Sequence, residues 1–345
     1  MKNESQTTPL PPMRTGPAIW TGEVMARQAS RWTITLTHTQ ITALSVTARA
    51  FIQSGQPITS LRKEDFPLIS LAEQISSLQA DLIDGIGFQL IKGLNPEQFS
   101  REEMEVIFVG MGTHLGNQRP QNAQGDLLGH VRDAGKSSDD ANVRIYQTSE
   151  RQHFHTDSAD VVGLLCLQPA LEGGQSLLVS AETIYNEMLR HRPDLLQLLL
   201  EPIATDRRGE VPPGMKPYTL IPVFCYHEQR LTVYYQRQYI ESAQRFADAP
   251  RLTDKHLEAL DLFDRLCNDP RLHLTMQLQS GDMQFVYNHS LLHDRTGFTD
   301  HPDPEKKRYL RRLWLSIPGD RELPQVFSER YGSLLPGSRG GVFVA

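Results

Sequence analysis

The sequence predicts an α+β protein: a helical N-terminal part to about residue 142, then a β-rich core over 143–318 of the sandwich or barrel kind. Two observations carry that expectation. Between residues 37 and 108 apolar residues recur at helical spacing, whereas from Val143 onward they form short runs separated by turn residues. Two strongly periodic helical stretches interrupt the later series, which keeps the class mixed.

Composition sets the outer bounds. At 345 residues, with 39% hydrophobic and 22% charged residues, the chain can bury a large core and reads as one domain over 31–336. A formal charge of −6 offers no broad basic surface, so nucleic acid is a poor partner and a small molecule a better one. Cys166, Cys225 and Cys267 are odd in number and widely spaced, without a CxxC, so neither a disulfide framework nor a zinc knuckle is indicated. Met1 to Gly16 is polar and proline-bearing, and no apolar run reaches the length of a membrane span. A cytoplasmic location is expected.

Taken in order, residues 1–30 read as a flexible arm, because Pro9, Pro11, Pro12 and Pro17 oppose regular structure. Ile41, Leu44, Ala48 and Phe51 place a helix over 37–51, and 71–82 repeats the pattern before Asp84-Gly85-Ile86-Gly87 turns into a strand at 88–91. Ser100 and Glu103 form a capping box that opens a helix through Phe108. Residues 117–125 follow as a loop. Strands are expected at 143–146, 161–167, 176–179, 220–226, 231–235, 283–286 and 309–317, and helices at 181–200 and 254–267, the second with Thr253 as N-cap. The breaker-rich stretch 205–214 reads as a surface loop or a lid, and 337–345 as a loose tail.

The chemistry is carried by His155-Thr156-Asp157. In a strand, residues i and i+2 leave the same face, so His155 and Asp157 would point at one spot, where a divalent metal could sit given a third ligand. His293, in Leu292-His293-Asp294-Arg295, is the candidate. Two histidines and one carboxylate on one side of a metal form the facial triad of non-haem Fe(II) oxygenases, with the opposite side open. Alone, His-x-Asp is a common accident. The context strengthens it: Gly173-Gly174 reads as a tight turn feeding a strand at Ser176, and Arg308, Leu310, Arg312 and Trp314 share one face of a strand. Buried arginines need anionic partners. Salt bridges to Asp or Glu would satisfy them, and so would a dianionic 2-oxo acid held bidentately, with Ser176 adding a hydroxyl.

The order His155-Thr156-Asp157, Gly173-Gly174-Gln175-Ser176, Asn288 to His293 and Arg308 to Arg312 resembles the taurine dioxygenase and clavaminate synthase-like group of Fe(II)/2-oxoglutarate oxygenases, over roughly residues 88–318. The resemblance implies a double-stranded β-helix (jelly-roll) core flanked by helices. It implies that His155, Asp157 and His293 bind iron, and that Ser176, where the group usually has Thr, bonds the tail carboxylate of 2-oxoglutarate. Arg308 would pair with that carboxylate, and Arg312 with the same anion or with substrate. The presence of Asp157 argues against the halogenase branch, which lacks that ligand. Iron(II) with one carboxylate and a 2-oxoglutarate dianion leaves one negative charge, which Arg308 neutralises. The implied activity is oxidation, most simply hydroxylation, of a small organic and possibly anionic substrate, consuming O2 and releasing succinate and CO2.

Smaller expectations attach to neighbouring residues. Arg295, Asn288, Tyr235 and Arg237 are candidates for substrate contact, each with a packing, turn or salt-bridge reading beside it. His289 reads as structural, and Cys166 as a small core residue. Two competitors use the same ligands: a zinc hydrolase, disfavoured by the lack of a nearby general base, and a jelly-roll binding protein that keeps a metal for structure.

Overall fold

The computed structural model describes residues 9–135 and 145–344. Its helices begin where the sequence places caps. Thr37 accepts from Gln40 N while the Gln40 side chain accepts from Thr37 N, opening His38–Gln53. Ser100 and Glu103 do the same for Arg101–Leu115, which runs past the expected end at Phe108. Proline divides two elements that apolar periodicity alone makes continuous. Pro193, with no N–H to donate, splits 181–200 into Ala181–His191 and Pro193–Leu199. Pro222 separates Tyr218–Ile221 from Phe224–His227. Of the strand expected at 143–146, residues 143 and 144 lie outside the described residues, and Ile145–Gln147 is a 3₁₀ turn.

Two sheets face each other. The larger has seven strands, six of them in the order Thr33–Thr35, Phe88–Lys92, Met283–Tyr287, Val161–Gln168, Tyr309–Ser316 and Asn117–Gln118, with Leu128–Val131 also on Tyr309–Ser316. The smaller has Ser176–Ser180 between Leu274–Met276 and Leu291–Arg295, all antiparallel. The two-residue period of a strand assigns side chains to layers. Val162, Cys166, Leu178, Leu291, Leu310 and Trp314 fill the space between the sheets. Val161, Leu165, Leu313 and Leu315 point instead toward His38–Gln53, Ala72–Ile83 and Arg101–Leu115. Leu177, Val179 and Leu292 meet Ala181–His191, Pro193–Leu199 and Asp254–Cys267. The inner face of Tyr309–Ser316 is the one predicted, so Arg312 is directed between the sheets.

Both chain ends depart from expectation. The described part of the arm, from Pro9, packs on the body. Trp20 is buried, its Nε1 donates to the Ile86 carbonyl at 3.0 Å, and its ring meets Phe88. Tyr185 and Asn186 bond Pro11 and Arg14 backbone. Prolines exclude regular structure there without excluding packing. The expected loose tail is likewise pinned, because Arg339 is fully buried and ion-paired with Asp160 and Asp320.

Candidate metal centre and its two cavities

His155 and Asp157 converge, but not along a strand. His153 adopts a positive φ of 60°, and His155 makes one isolated antiparallel bridge to His293, with both N–H to O=C distances 3.0 Å. The remaining residues of the segment are held one by one. Thr156 exchanges hydrogen bonds with Tyr235 backbone, and Asp157 N donates to Asn288 Oδ1 at 3.0 Å. His293 comes from the inner face of Leu291–Arg295. Ligand atoms of the three residues lie within 4.8 Å of one another, with Asp157 Oδ1 3.9 Å from His155 Nε2 and Oδ2 3.8 Å from His293 Nε2.

The protonation states suit a cation. His155 Nδ1 lies 2.8 Å from the His153 carbonyl, which can only accept, so the proton sits on Nδ1 and Nε2 presents its lone pair. Burial, with His155 beside it, lowers the His293 pKa to about 3, so His293 is neutral. Burial alone would raise the Asp157 pKa; Arg312, the two histidines and the Trp314 N–H outweigh it and hold the carboxyl at about 2. Trp314 Nε1 donates to Asp157 Oδ2 at 2.7 Å and Arg312 Nη1 at 3.3 Å. Two imidazole nitrogens and one carboxylate form a donor set that fits a borderline divalent metal such as Fe(II).

A cavity opens on each side of this cluster. The inner one lies between the sheets and is lined by Ser176, His293, Arg295, Arg308 and Arg312 among others. The outer one is reached by His155, Asp157, Gln236, Arg237 and Trp314. Tyr146, Gln152 and Arg312 line both. Arg308 is the unusual member of the inner wall. Its Nη1 is buried and meets no hydrogen-bond partner among the described residues, and burial lowers its pKa only to about 10, so it stays charged at neutral pH. The Gly173-Gly174 turn makes room for it: both residues have positive φ, and a Cβ on Gly174 would come within 3.0 Å of Arg308 Nε. Ser176 Oγ donates to Gln284 Oε1 at 3.0 Å on the same wall.

Several sequence expectations are corrected by their partners. Arg312 bonds Gln121 Oε1 through Nε at 2.8 Å and Asp157 through Nη1, and stacks between Tyr146 and Trp314, so it is tied to a ligand carboxylate. Arg295 lines the inner cavity but donates to the Thr148 and Glu150 carbonyls, and no salt bridge forms with a described acid. Asn288 is fully buried and spans Asp157 N and the Ala159 carbonyl, holding the ligand segment instead of facing a cavity. Tyr235 is buried against Phe263, with its hydroxyl on Asp264 at 2.6 Å, so it forms no part of the substrate wall. Arg237 does reach the outer cavity, while paired with Glu241, Asp261 and Asp264. Trp314 and Gln152 were missed as site residues. The signal for Trp314 was its shared strand face with Arg312; for Gln152, whose Nε2 is 3.2 Å from His155 Nε2, only nearness in sequence pointed to it.

A second cluster of similar composition lies beside the first. Asp160, His289 and Asp320 also bring ligand atoms within 4.8 Å. Here the space is taken: Arg339 Nε meets Asp160 at 2.7 Å and Nη2 meets Asp320 at 2.6 Å, while His289 Nε2 is 2.8 Å from Asp160.

The sequence profile of the taurine catabolism dioxygenase TauD, TfdA family matches residues 54–314. FR-33289 synthase of Streptomyces rubellomurinus (strain ATCC 31215) is 31% identical over 323 residues, spanning 92% of this chain and 95% of that protein. A uridine-5'-phosphate dioxygenase of a Streptomyces species is 29% identical over 177 residues, 49% of this chain and 62% of that one. Among solved structures, an asparagine oxygenase in complex with Fe(II), 2S,3S-3-hydroxyasparagine and succinate superposes with a TM-score of 0.65 at 16% identity, covering 83% of this chain and 93% of that chain.

Proposed function

The chain belongs to the TauD, TfdA family and is an Fe(II)/2-oxoglutarate-dependent dioxygenase, and on that premise we propose which residues carry each part of the reaction. His155, Asp157 and His293 hold the iron. The convergence of the three side chains, the neutral His293 and the charged Asp157 support this reading, as does the hydrogen-bonded support behind His155 and Asp157. When bound, iron with 2-oxoglutarate supplies the activation of dioxygen: the 2-oxo acid is decarboxylated to succinate and CO2, and the substrate gains one oxygen atom. The protein supplies position and charge.

Arg308 and Ser176 take the distal carboxylate of 2-oxoglutarate in the inner cavity. The observation that carries this is the buried Arg308 Nη1 without a described partner, since leaving a charged donor unsatisfied in the interior is costly and a carboxylate relieves it. Arg312 and Trp314 hold Asp157 in its ionised state and in one orientation. Substrate enters the outer cavity, whose arginine-bearing wall suits a small molecule with an anionic group. The two facing sheets, with the cluster between them, support a double-stranded β-helix core within a single catalytic domain. Three cysteines with no disulfide among them fit a reducing cytoplasm.

The test is succinate formation from 2-oxoglutarate in air by iron-loaded protein, in the wild type and in Arg308→Gln. Iron-dependent turnover with a raised KM for 2-oxoglutarate in the variant is expected. An unchanged KM would remove Arg308 from that role.

A further inference from the structure

The outer cavity carries positive charge that the iron and 2-oxoglutarate do not use. Among the described residues its one lining carboxylate is Asp157, whereas Arg208, Arg237, Arg312 and Arg330 all reach it. Two of these are neutralised: Arg312 by Asp157, and Arg237 by three acids of its own. The other two form no ion pair with a described carboxylate. Arg330 Nε donates to Ser158 Oγ at 2.9 Å, a neutral partner and the residue that follows the metal ligand Asp157. Arg208 lies over the Tyr239 ring, 5.4 Å from its centre.

Two further features set this pair apart. Arg208 sits at a φ of 53°, a conformation uncommon for a side-chain-bearing residue, in the Arg207-Arg208-Gly209 bend between Ile203–Asp206 and Tyr218–Ile221. Its neighbour Arg207 is buried and has a lowered pKa, through burial first and the charge of Arg330 second. Arg207 and Arg330 therefore lie close enough to repel, with one acid in ion-pair range of Arg207, the exposed Glu329 at 3.9 Å. Like charges brought together in partial burial repel, and a bound anion relieves the repulsion.

Resting on the assignment of this cavity to substrate, we propose that Arg208 and Arg330 anchor a phosphoryl dianion, carried as a phosphate ester or a phosphonate at the end of the substrate away from the carbon that is oxidised. Charge decides the class. Two uncompensated guanidiniums match a dianion, while a carboxylate or sulfonate leaves one cation unpaired. Two planar forks also match an oxyanion with three terminal oxygens. Arg330 and the metal ligands His155 and Asp157 line the same cavity, so the anchored group and the metal cluster face one bound substrate.

The experiment is calorimetric titration of anaerobic protein loaded with Fe(II) and 2-oxoglutarate, using ethyl phosphate, ethylphosphonate, propionate and ethanesulfonate as probes. At least one phosphoryl probe should bind about tenfold or more tightly than propionate and ethanesulfonate, and the tighter of the two identifies the source. Arg208→Gln and Arg330→Gln should each weaken it about tenfold or more, the effect of one charge-assisted hydrogen bond. Equal binding of all four probes, preference for propionate or ethanesulfonate, or unchanged affinity in both variants overturns the proposal. The visible absorption band of iron-chelated 2-oxo acid, recorded on the same samples, separates the two readings. If the band forms and phosphoryl binding fails, the anchor is wrong; if the band itself fails, the iron and 2-oxoglutarate assignment is wrong.

Discussion

Two clusters of histidine and carboxylate lie almost side by side, built from the same two stretches of chain except for Asp320, which completes the second. Residues 155–160 give His155 and Asp157 to one and Asp160 to the other; residues 289–293 give His289 and His293. Their residue types are nearly interchangeable, yet their chemistry is not. In the first, two ring nitrogens and one carboxylate converge, with His155 and Asp157 held from behind by hydrogen bonds, and two cavities open beside them. In the second, a guanidinium occupies the space a cation would take, and no side chain of the cluster is exposed. Both clusters meet an arginine, but Arg312 touches Asp157 at Oδ2 alone, 3.3 Å away, whereas Arg339 reaches both Asp160 and Asp320, at 2.7 and 2.6 Å, and fills the space between them.

That contrast can be broken from either side. The largest effect is expected at Asp157→Ala, which leaves two neutral ligands: turnover should fall by more than about a hundredfold, the scale at which even residues behind metal ligands act, while circular dichroism stays native. Residual activity near wild type would remove Asp157 from the centre. Next is Arg339→Leu, which strands Asp160 and Asp320 as buried charges and should lower unfolding free energy by about 3–5 kcal/mol. Denaturant titration measures it, and a loss below about 1 kcal/mol would mean that the network is solvated and weak. Arg308→Gln, in the inner cavity, should raise the KM for 2-oxoglutarate by about ten- to a hundredfold through one lost charged contact, with iron affinity retained.

The smallest effect is one of pH. Burial lowers the His289 pKa below its ordinary 6.5, although Asp160 pulls the other way, so the folded state prefers the neutral ring. Below pH about 6.5 the unfolded chain then binds more protons than the folded one, and stability declines as the solution is acidified. His289→Gln should flatten that decline in thermal melts at pH 5 to 7. An unaltered slope would assign it to other groups.

How far the sequence could be read depended on how local each cause was. Caps, prolines and strand parity are local, so the helices at Thr37 and Ser100 and the inward face of Arg308 to Trp314 follow directly. The three ligands also came out together, although by a bend at His153 and a bridge to His293 and not by the strand face first expected. Partners distant in sequence were invisible. Asn288, Tyr235 and Arg312 look equally available as substrate contacts until Asp157, Asp264 and Gln121 are seen against them. The chain ends were misread for the same reason. Proline content and polarity describe Pro9 to Pro17 and Gly337 to Gly341, but not the Ile86 carbonyl that accepts from Trp20 or the acids that bury Arg339.

The most direct test of the central contrast is anaerobic titration of metal-free protein with Fe(II) and then 2-oxoglutarate, following iron stoichiometry and the charge-transfer band of the chelated 2-oxo acid. It is run on the wild type, His155→Ala and Asp160→Asn. The expected result is one iron per chain with a band in the wild type, loss of both in His155→Ala, and retention of both in folded Asp160→Asn. A band that survives in His155→Ala, or an iron lost with Asp160→Asn while the fold is intact, would place the metal in the wrong cluster.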